Sequence, residues 1–173
     1  MEKIRLRALT LSDIENTLKW HNQEDISYFY SGHPFPVNIE FEKKWYEKIL
    51  TSNFPVTVFG IEYIKNQILI GITVLKDINL INRTAEFAIF IGDNEYRKKG
   101  LSSEASLETL RFGFFNLGLN RISLKVLEEN KAAIKLYNRI GFINEGTLRN
   151  SVFKNNSFRN EFVMSILKKE FNG

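Results

Sequence analysis

No cysteine occurs in this sequence of 173 residues, and that absence excludes several kinds of chemistry. Disulfide scaffolds, thiolate zinc sites and covalent catalysis on a protein sulfur all require a thiol. Any acyl group that the protein handles must therefore be carried by a cofactor. The sequence also gives no indication of a metal.

Long apolar runs are missing as well. The first twenty residues are charged and lack the apolar core of a signal peptide, and no stretch approaches the ~18 consecutive apolar residues that a membrane-spanning helix requires. We therefore expect a cytoplasmic protein with no membrane partner. The length, together with a hydrophobic content of 43%, predicts one domain over residues 1–173.

A large excess of one charge is absent, since 24 basic residues stand against 20 acidic ones and the formal net charge is +4. The two signs are interspersed, and the sequence has no arginine-rich arm and no alternation of aromatic and basic residues along a strand. This pattern favours a small anionic ligand and argues against a nucleic-acid partner.

The periodicities that are present predict an α/β domain with one mixed, mostly antiparallel central sheet flanked by helices. The expected strands cover residues 4–7, 56–64, 68–76, 84–91, 121–126, 142–153 and 157–167, and the expected helices cover 13–20, 38–49, 100–117 and 131–140. Ser12 and Glu15 match a capping box for the first helix. Residues 21–37 are interpreted as an aromatic loop or a broken helix.

A basic turn with one glycine lies between a predicted strand and the start of a long predicted helix. Its residues are Arg97, Lys98, Lys99, Gly100, Leu101 and Ser102. The first N–H groups of a helix lack intrahelical partners and the macrodipole is positive there, so such a turn can bind phosphate oxygens. A solvated surface turn explains the same residues equally well.

Asn130 and Tyr137 mark a second candidate segment. Asn130 stands just before the predicted helix and can cap it. Tyr137 follows seven residues later, close to two helical turns, so both lie on nearly the same face. Ala132 and Ala133 make the first turn slim enough for a linear ligand to lie against it. The simpler interpretations are that Asn130 is only a helix cap and that Tyr137 is a core aromatic whose hydroxyl has a hydrogen-bond partner.

Together these two segments resemble the GNAT superfamily of acetyl-CoA-dependent N-acetyltransferases. Arg97 to Ser102 match the pyrophosphate motif, with Ser102 where Gly or Ala is usual, and the second motif matches Asn130, Ala132, Ala133, Tyr137, Gly141 and Phe142. The run Gly141, Phe142, Glu145, Gly146, Leu148 and Arg149 is similar to the branch of ribosomal-protein Nα-, spermidine and amino-sugar-nucleotide acetyltransferases.

The resemblance implies a set of roles. Backbone groups of Ile89, Phe90 and Ile91 would line the pantetheine and the acetyl carbonyl of acetyl-CoA, the turn from Arg97 to Ser102 would hold the pyrophosphate, and Asn130 and Ala133 would contact the pantetheine arm. Tyr137 would stand beside the sulfur and protonate the leaving thiolate. An amine would attack the thioester directly.

The attacking amine must lose a proton, because an alkyl ammonium is almost wholly charged at pH 7. Glu86, on the strand that leads to the turn, is the candidate base, acting through a water. The alternative interpretations are a surface carboxylate or an ion-pair partner for Arg83 or Arg121. His21 and His33 are titratable as well, but both fall in the aromatic loop.

The acceptor stays open at this point. Family members usually build the acceptor pocket from the first two helices and the loop between them, here residues 21–37. The candidates are an amino-sugar nucleotide, a polyamine, an antibiotic and a protein N-terminus, and Glu24 and Asp25 are a weak sign of a polyamine. The branch implies a homodimer. A non-catalytic acyl-CoA-binding domain is the alternative function, although intact Asn130 and Tyr137 argue against it.

Overall fold

The protein is described here by a computed structural model that covers residues 2–30, 35–51 and 56–173, without the side chains of residues 50 and 51. His33 lies outside these residues. The strands are β1 Ile4–Arg7, β2 Thr57–Tyr63, β3 Ile68–Asn79, β4 Thr84–Ile91, β5 Arg121–Leu127, β6 Ile143–Lys154 and β7 Ser157–Leu167. The helices are α1 Ile14–His21, α2 Glu24–Phe29, α3 Ile39–Thr51, α4 Leu101–Arg111 and α5 Lys131–Arg139.

The strands form one sheet in the order β1-β2-β3-β4-β5-β7-β6. β4 and β5 are parallel neighbours, and the other neighbouring pairs are antiparallel. The predicted class, a mixed and mostly antiparallel sheet flanked by helices, is therefore confirmed. None of the helices that the structure describes is long and apolar enough to cross a membrane.

Successive side chains of a strand point to opposite faces of the sheet, so each face presents apolar side chains, and helices pack on both faces. Phe87 and Ile89 of β4 join a core with α4 and α5, whereas Phe90 packs with the core of Trp20 from α1 and Tyr46 from α3. The end of β4 is thus in contact with both helical layers.

The entry into α1 differs from the predicted capping box of Ser12 and Glu15, which is wrong. The reciprocal pair is Thr10 and Asp13: the Thr10 N–H donates to the Asp13 carboxylate at 2.8 Å, and the Asp13 N–H donates to the Thr10 carbonyl at 2.9 Å. Asp13 takes this role because Arg7 of β1 also binds its carboxylate, with two hydrogen bonds of 2.8 Å. The contact with Arg7 of β1 therefore determines that Asp13, and not Glu15, pairs with the start of the helical segment.

The segment between α1 and α3 is more regular than expected. Six of its residues form α2, whose buried Ile26 packs into the second core. The long predicted helix near residue 100 is confirmed as α4, which continues into a wider π-helical turn over Phe112–Asn116 before the left-handed Gly118 at φ 66°.

Candidate active site

The two parallel strands at the centre of the sheet separate before they end. β4 and β5 pair only over Thr84–Glu86 and Arg121–Ser123. Beyond that point β4 stays paired with β3 up to Ile91, and β5 stays paired with β7 to its end. Backbone groups that face the opening have no sheet partner and require another one. The predicted segment Ile89–Ile91 lies at this opening.

The basic turn after β4 has the backbone shape of an anion site. Lys98 and Gly100 adopt left-handed conformations, with φ of 60° and 80°, and α4 begins at the next residue. Backbone N–H groups around alternating left- and right-handed residues converge on one side, and those of Leu101 and Ser102 have no intrahelical acceptor. A Cβ built on Gly100 would meet no atom within 4 Å. The turn therefore has unpaired donors beside open space.

Arg97 does not direct its guanidinium at that space. Its Nε donates to the Ile91 carbonyl at 2.8 Å, its Nη2 donates to Gln23 at 3.1 Å, and its Nη1 pairs with Asp25. The side chain therefore ties the turn to the end of β4 and to α2. The contribution of charge by Lys98 and Lys99 and the participation of the Arg97 backbone stay predictions.

We expect Gly100→Ala to raise the Kd of acetyl-CoA about tenfold, or ~1.4 kcal/mol. The added Cβ projects into the open space beside the N–H groups, and the left-handed conformation costs a non-glycine residue about 1–2 kcal/mol of stability. Titration calorimetry measures the affinity. Gly146→Ala is the matched control, because its Cβ also meets no atom within 4 Å and its backbone is not left-handed. Unchanged affinity in Gly100→Ala would place the pyrophosphate elsewhere.

Asn130 caps α5, as the simpler interpretation held. Its Oδ1 accepts a hydrogen bond from the N–H of Ala133 at 3.1 Å. Its amide also interacts with the hydroxyl of Tyr30 at the end of α2. Asn130 thus links α5 to α2 across the opening, while contact of Asn130 and Ala133 with pantetheine stays a prediction.

Tyr137 is 4% exposed and reaches the opening from the α5 side of the sheet. Its ring packs against Phe87 and Phe142, with centroids 6.3 and 5.7 Å away. Among the described residues the hydroxyl has no hydrogen-bond partner, so the alternative of a core tyrosine with a satisfied hydroxyl is not what the structure shows. Burial, and then the nearby Tyr30, raise the pKa of Tyr137. The hydroxyl is therefore protonated at neutral pH.

Glu86 is engaged in an ion pair across the sheet. Its carboxylate lies 2.7 Å from the Lys76 Nζ, directly opposite on β3. The predicted partners Arg83 and Arg121 are wrong: Arg83 donates to the Gly118 carbonyl, and Arg121 pairs with a carboxylate of β6. On β5 the residue opposite Glu86 is Ser123, and on β3 it is Lys76, so the strand register brings Lys76 next to Glu86. The role of Glu86 as a base stays a prediction.

Two residues without an assigned role meet near the end of β4. The Nδ1 of His21 lies 2.8 Å from the carboxylate of Glu42, which is fully buried. The His21 ring stands edge-on to Trp45 and 6.2 Å from the Phe90 ring. The pair joins α1 to α3 over 21 residues, so no local spacing signals it. The only sign of this pair in the sequence was an acidic residue, Glu42, among the apolar positions of the predicted helix over residues 38–49.

A cleft of about 550 Å³ opens beside α2. Its lining residues are Gln23, Glu24, Asp25, Tyr28, Phe29, Asn94 and Asn155. One wall is thus the loop between β4 and the basic turn, and the far side is the tip of the β6–β7 hairpin. Lys154 in that hairpin donates to the carbonyls of Ser27 and Tyr28, which fixes the hairpin against α2.

The opened sheet, the turn with unpaired N–H groups and the buried tyrosine with an unpartnered hydroxyl define the class of acyl-CoA-dependent transferases. The family model of the acetyltransferase (GNAT) domain matches residues 3–143. The chain therefore belongs to the GNAT acetyltransferase family, and the predicted superfamily is confirmed.

Two relatives that match almost the whole chain are named spermidine N(1)-acetyltransferases. Spermidine N(1)-acetyltransferase of Vibrio cholerae is 31% identical over 169 residues, which are 98% of this chain and 95% of the relative. The enzyme of the same name from Escherichia coli K12 is 29% identical over 168 residues, which are 97% and 88% of the two chains. A crystal structure of spermidine N-acetyltransferase from Vibrio cholerae in complex with CoA and spermine superposes with a TM-score of 0.91 at 30% identity, covering 99% of each chain.

The protein is thus an N-acetyltransferase, and acetyl-CoA is its acetyl donor. The described residues fit that donor: the opening between β4 and β5 offers unpaired backbone groups to a linear arm, and the space beside Gly100 offers N–H groups to a pyrophosphate. When bound, acetyl-CoA supplies an activated thioester. Within the described ranges, no cluster of three His, Asp or Glu side chains is placed to hold a metal ion.

Proposed function

We propose that the acetyl acceptor is a primary amine of an aliphatic polyamine of the spermidine or spermine type. The full-length similarity to spermidine N-acetyltransferases supports this choice over an amino-sugar nucleotide, an antibiotic or a protein N-terminus. The observation on this chain that carries the proposal is the mixture of groups in the cleft beside α2.

The cleft combines two kinds of surface that a polyamine needs. Tyr28 and Phe29 offer aromatic faces to methylene groups and to ammonium groups. Glu24 offers a carboxylate, and among the described residues it has no ion-pair partner, whereas the neighbouring Asp25 is paired with Arg97. Amide oxygens of Gln23 and the two asparagines of the lining add acceptors. A chain of alternating methylene runs and cations matches this arrangement.

The catalytic roles follow from the geometry of the opening. Backbone N–H groups of the segment Ile89–Ile91 are proposed to stabilise the oxyanion, because unpaired donors that are already oriented need no reorganisation. The basic turn is proposed to hold the pyrophosphate. Tyr137 holds a proton at its hydroxyl at neutral pH, and in the proposed mechanism that proton is available to the leaving sulfur.

A panel of amines tests the acceptor. Thiol release is measured with spermidine, spermine, an amino-sugar nucleotide, an aminoglycoside and a peptide with a free N-terminus. We expect the two polyamines to give the highest kcat/KM. A higher value for another amine would overturn the acceptor, and binding of acetyl-CoA without turnover on any amine would favour the non-catalytic alternative for this chain.

We expect Glu24→Gln to raise the KM for spermidine about fivefold, or ~1 kcal/mol, with kcat nearly unchanged, because one charge-assisted contact to an ammonium is lost. Steady-state kinetics at fixed acetyl-CoA measure both constants. Glu15→Gln is the matched control, since Glu15 is an exposed carboxylate on α1 outside the cleft. Equal KM values in the two variants would show that the polyamine binds elsewhere.

Homodimer formation remains a prediction from the family resemblance, and a cytoplasmic location remains a prediction from the charged first twenty residues and the lack of a long apolar run. Light scattering of the purified protein at micromolar concentration tests the first. A monomeric mass over that range would contradict it. Fractionation of cells that express the full chain tests the second.

A further inference from the structure

His21 has the surroundings of a general base. Its Nδ1 lies 2.8 Å from a Glu42 carboxylate oxygen, and edge-on packing against Trp45, with centroids 5.3 Å apart at 90°, fixes the plane of the ring. A carboxylate accepts a hydrogen bond from Nδ1–H, which leaves the lone pair on Nε2. Among the described residues Nε2 has no hydrogen-bond partner, and the side chain is 21% exposed.

Glu42 is placed to orient that ring. It is 0% exposed, and its second oxygen, Oε1, is buried without a hydrogen-bond partner among the described residues. A buried carboxylate is costly unless a charge or hydrogen bonds compensate it. Among the described residues, the contact with the His21 Nδ1 is the one hydrogen bond to this carboxylate, so the orientation of the ring and the position of Glu42 depend on each other.

The position of His21 relative to the opening also supports its assignment as the base. Its ring lies 6.2 Å from the Phe90 ring, and Tyr30 lies against the same Phe90 ring at 5.8 Å. Phe90 belongs to the part of β4 that no longer pairs with β5. His21 therefore approaches the opening from the α1–α3 layer, whereas Tyr137 approaches it from the α5 layer.

Glu86 is less well placed for the same task. It is four residues before Phe90 on β4, or roughly 13 Å along the strand at ~3.3 Å per residue. Its carboxylate is bound to Lys76 at 2.7 Å. Proton transfer to Glu86 from an amine at the opening would need both a chain of waters and a broken ion pair.

We propose that His21, held by Glu42, accepts the proton of the acceptor ammonium. The N–H bond of the ammonium breaks, an N–H bond forms at Nε2, and the electron pair released on the amine nitrogen becomes the nucleophile. As the amide forms, the nitrogen loses a second proton, which replaces the proton that Tyr137 gives to the thiolate. The proton on His21 passes to water, so that one proton is released overall. The proposal rests on transfer to a primary amine and does not depend on which amine it is.

Two substitutions separate the two ring nitrogens of His21. The side-chain amide of His21→Asn can occupy the place of Nδ1 and keep the hydrogen bond to Glu42, while Nε2 is lost. We expect kcat at pH 7 to fall about 10- to 100-fold, with the Kd of acetyl-CoA nearly unchanged. In His21→Ala, added imidazole is expected to restore part of the rate, because the vacated space accepts the free ring.

The pH dependence distinguishes a base from a structural residue. An amine with pKa near 10 becomes neutral by itself as the pH rises, so the deficit of His21→Asn should shrink between pH 7 and pH 10. Glu42 of α3 is the titratable group that contacts the ring, and Tyr30, the residue after α2, is a second titratable group that packs on the same Phe90 ring. A deficit that is constant with pH would overturn the proposal.

A readout without acetyl-CoA tests the role of Glu42. Nitrogen NMR of the protein alone should show the proton of neutral His21 on Nδ1. Glu42→Gln can donate to Nδ1 instead, and we expect the proton to move to Nε2 together with a fall in kcat. The proton on Nε2 in the unsubstituted protein would contradict the proposal.

Glu86→Gln is the competing variant. If it shows the deficit that shrinks with rising pH and His21→Asn does not, Glu86 is the base and the proposal fails. If spermidine proves to be a poor acceptor, the same comparison with the best amine of the panel still decides between the two residues. Thermal unfolding of each variant confirms that it is folded.

Discussion

Tyr137→Phe is expected to lower kcat by about 10²- to 10³-fold, the contribution of a positioned proton donor. The ring stays packed against Phe87 and Phe142, so the shape of the opening is retained. The hydroxyl that is lost has no hydrogen-bond partner among the described residues and is protonated at neutral pH, because burial raises its pKa. Rapid-mixing measurements of thiol release and calorimetry of acetyl-CoA binding should show a loss in turnover with affinity nearly unchanged.

Tyr46→Phe provides the control for a tyrosine hydroxyl removed from the core. Tyr46 is fully buried in the other helical layer, its hydroxyl accepts a hydrogen bond from Thr17 at 3.2 Å, and burial raises the pKa of Tyr46 to about 12. We expect it to lose about 1 kcal/mol of stability and to keep its kcat. Equal turnover in Tyr137→Phe and the unsubstituted protein would remove Tyr137 from the acid role.

Arg7→Met is expected to lower the free energy of unfolding by about 3 kcal/mol, as measured by urea denaturation at pH 7. The Arg7 guanidinium donates twice to Asp13 at 2.8 Å and once to Glu62 at 2.7 Å. Both carboxylates are nearly buried, at 5% and 4% exposed. Without the guanidinium, Asp13 has no ion-pair partner among the residues that the structure describes, and a buried charge without its partner is strongly destabilising.

Arg5→Met is the matched control on the same strand. Arg5 also donates to Glu62 at 2.7 Å, but its side chain is 60% exposed and Glu62 keeps Arg7 as a partner. We expect a loss below about 1 kcal/mol. Similar losses in the two variants would show that Asp13 does not depend on Arg7.

The pH dependence identifies the charge on Asp13 as the cause. Burial alone would raise the pKa of Asp13, but hydrogen bonds from Arg7 and Thr10 outweigh it and hold the pKa below its ordinary value. A depressed folded pKa gives stability that is present above the unfolded pKa near 4 and is lost as the pH falls through the folded value. In Arg7→Met burial dominates and the carboxyl binds a proton more readily, so the stability gap should narrow from pH 7 to pH 4. A constant gap would point to lost packing instead.

The strands and the long helices could be predicted because their apolar residues repeat within each segment. β4 alternates buried and part-exposed positions over its length, and α4 and α5 carry apolar residues at helical spacing. α2 was not predicted as a regular helix, since only six of its residues are helical. Packing of Ile26 into the core and the ion pair of Asp25 with Arg97 contribute much of its stability. Short helices depend on tertiary packing more than on their own propensity.

The residues of the candidate site divide in the same way, into those that local spacing predicts and those that only tertiary contacts bring together. Asn130 and Tyr137 were found because helical geometry places residues seven apart on one face. The alternative interpretation of Glu86 named Arg83 or Arg121 as its partner and missed Lys76, because strand register brings Lys76 opposite Glu86. The pair of His21 and Glu42 was not found, since its members are 21 positions apart in the sequence and α2 lies between them.

The site around the buried Tyr137 illustrates what the sequence and the tertiary structure each determined. The sequence by itself indicated the family, which the family model confirms, and placed Tyr137 on the helix face of Asn130. The donor site around Gly100 is a prediction from the same kind of evidence, because local spacing controls which groups share a turn or a helix face. Only the tertiary structure decided that Arg97 turns toward α2, that Tyr137 keeps an unpartnered hydroxyl and that His21 rests on a buried carboxylate. These features depend on side chains from different layers, and their contacts exist only after the sheet has brought the layers together.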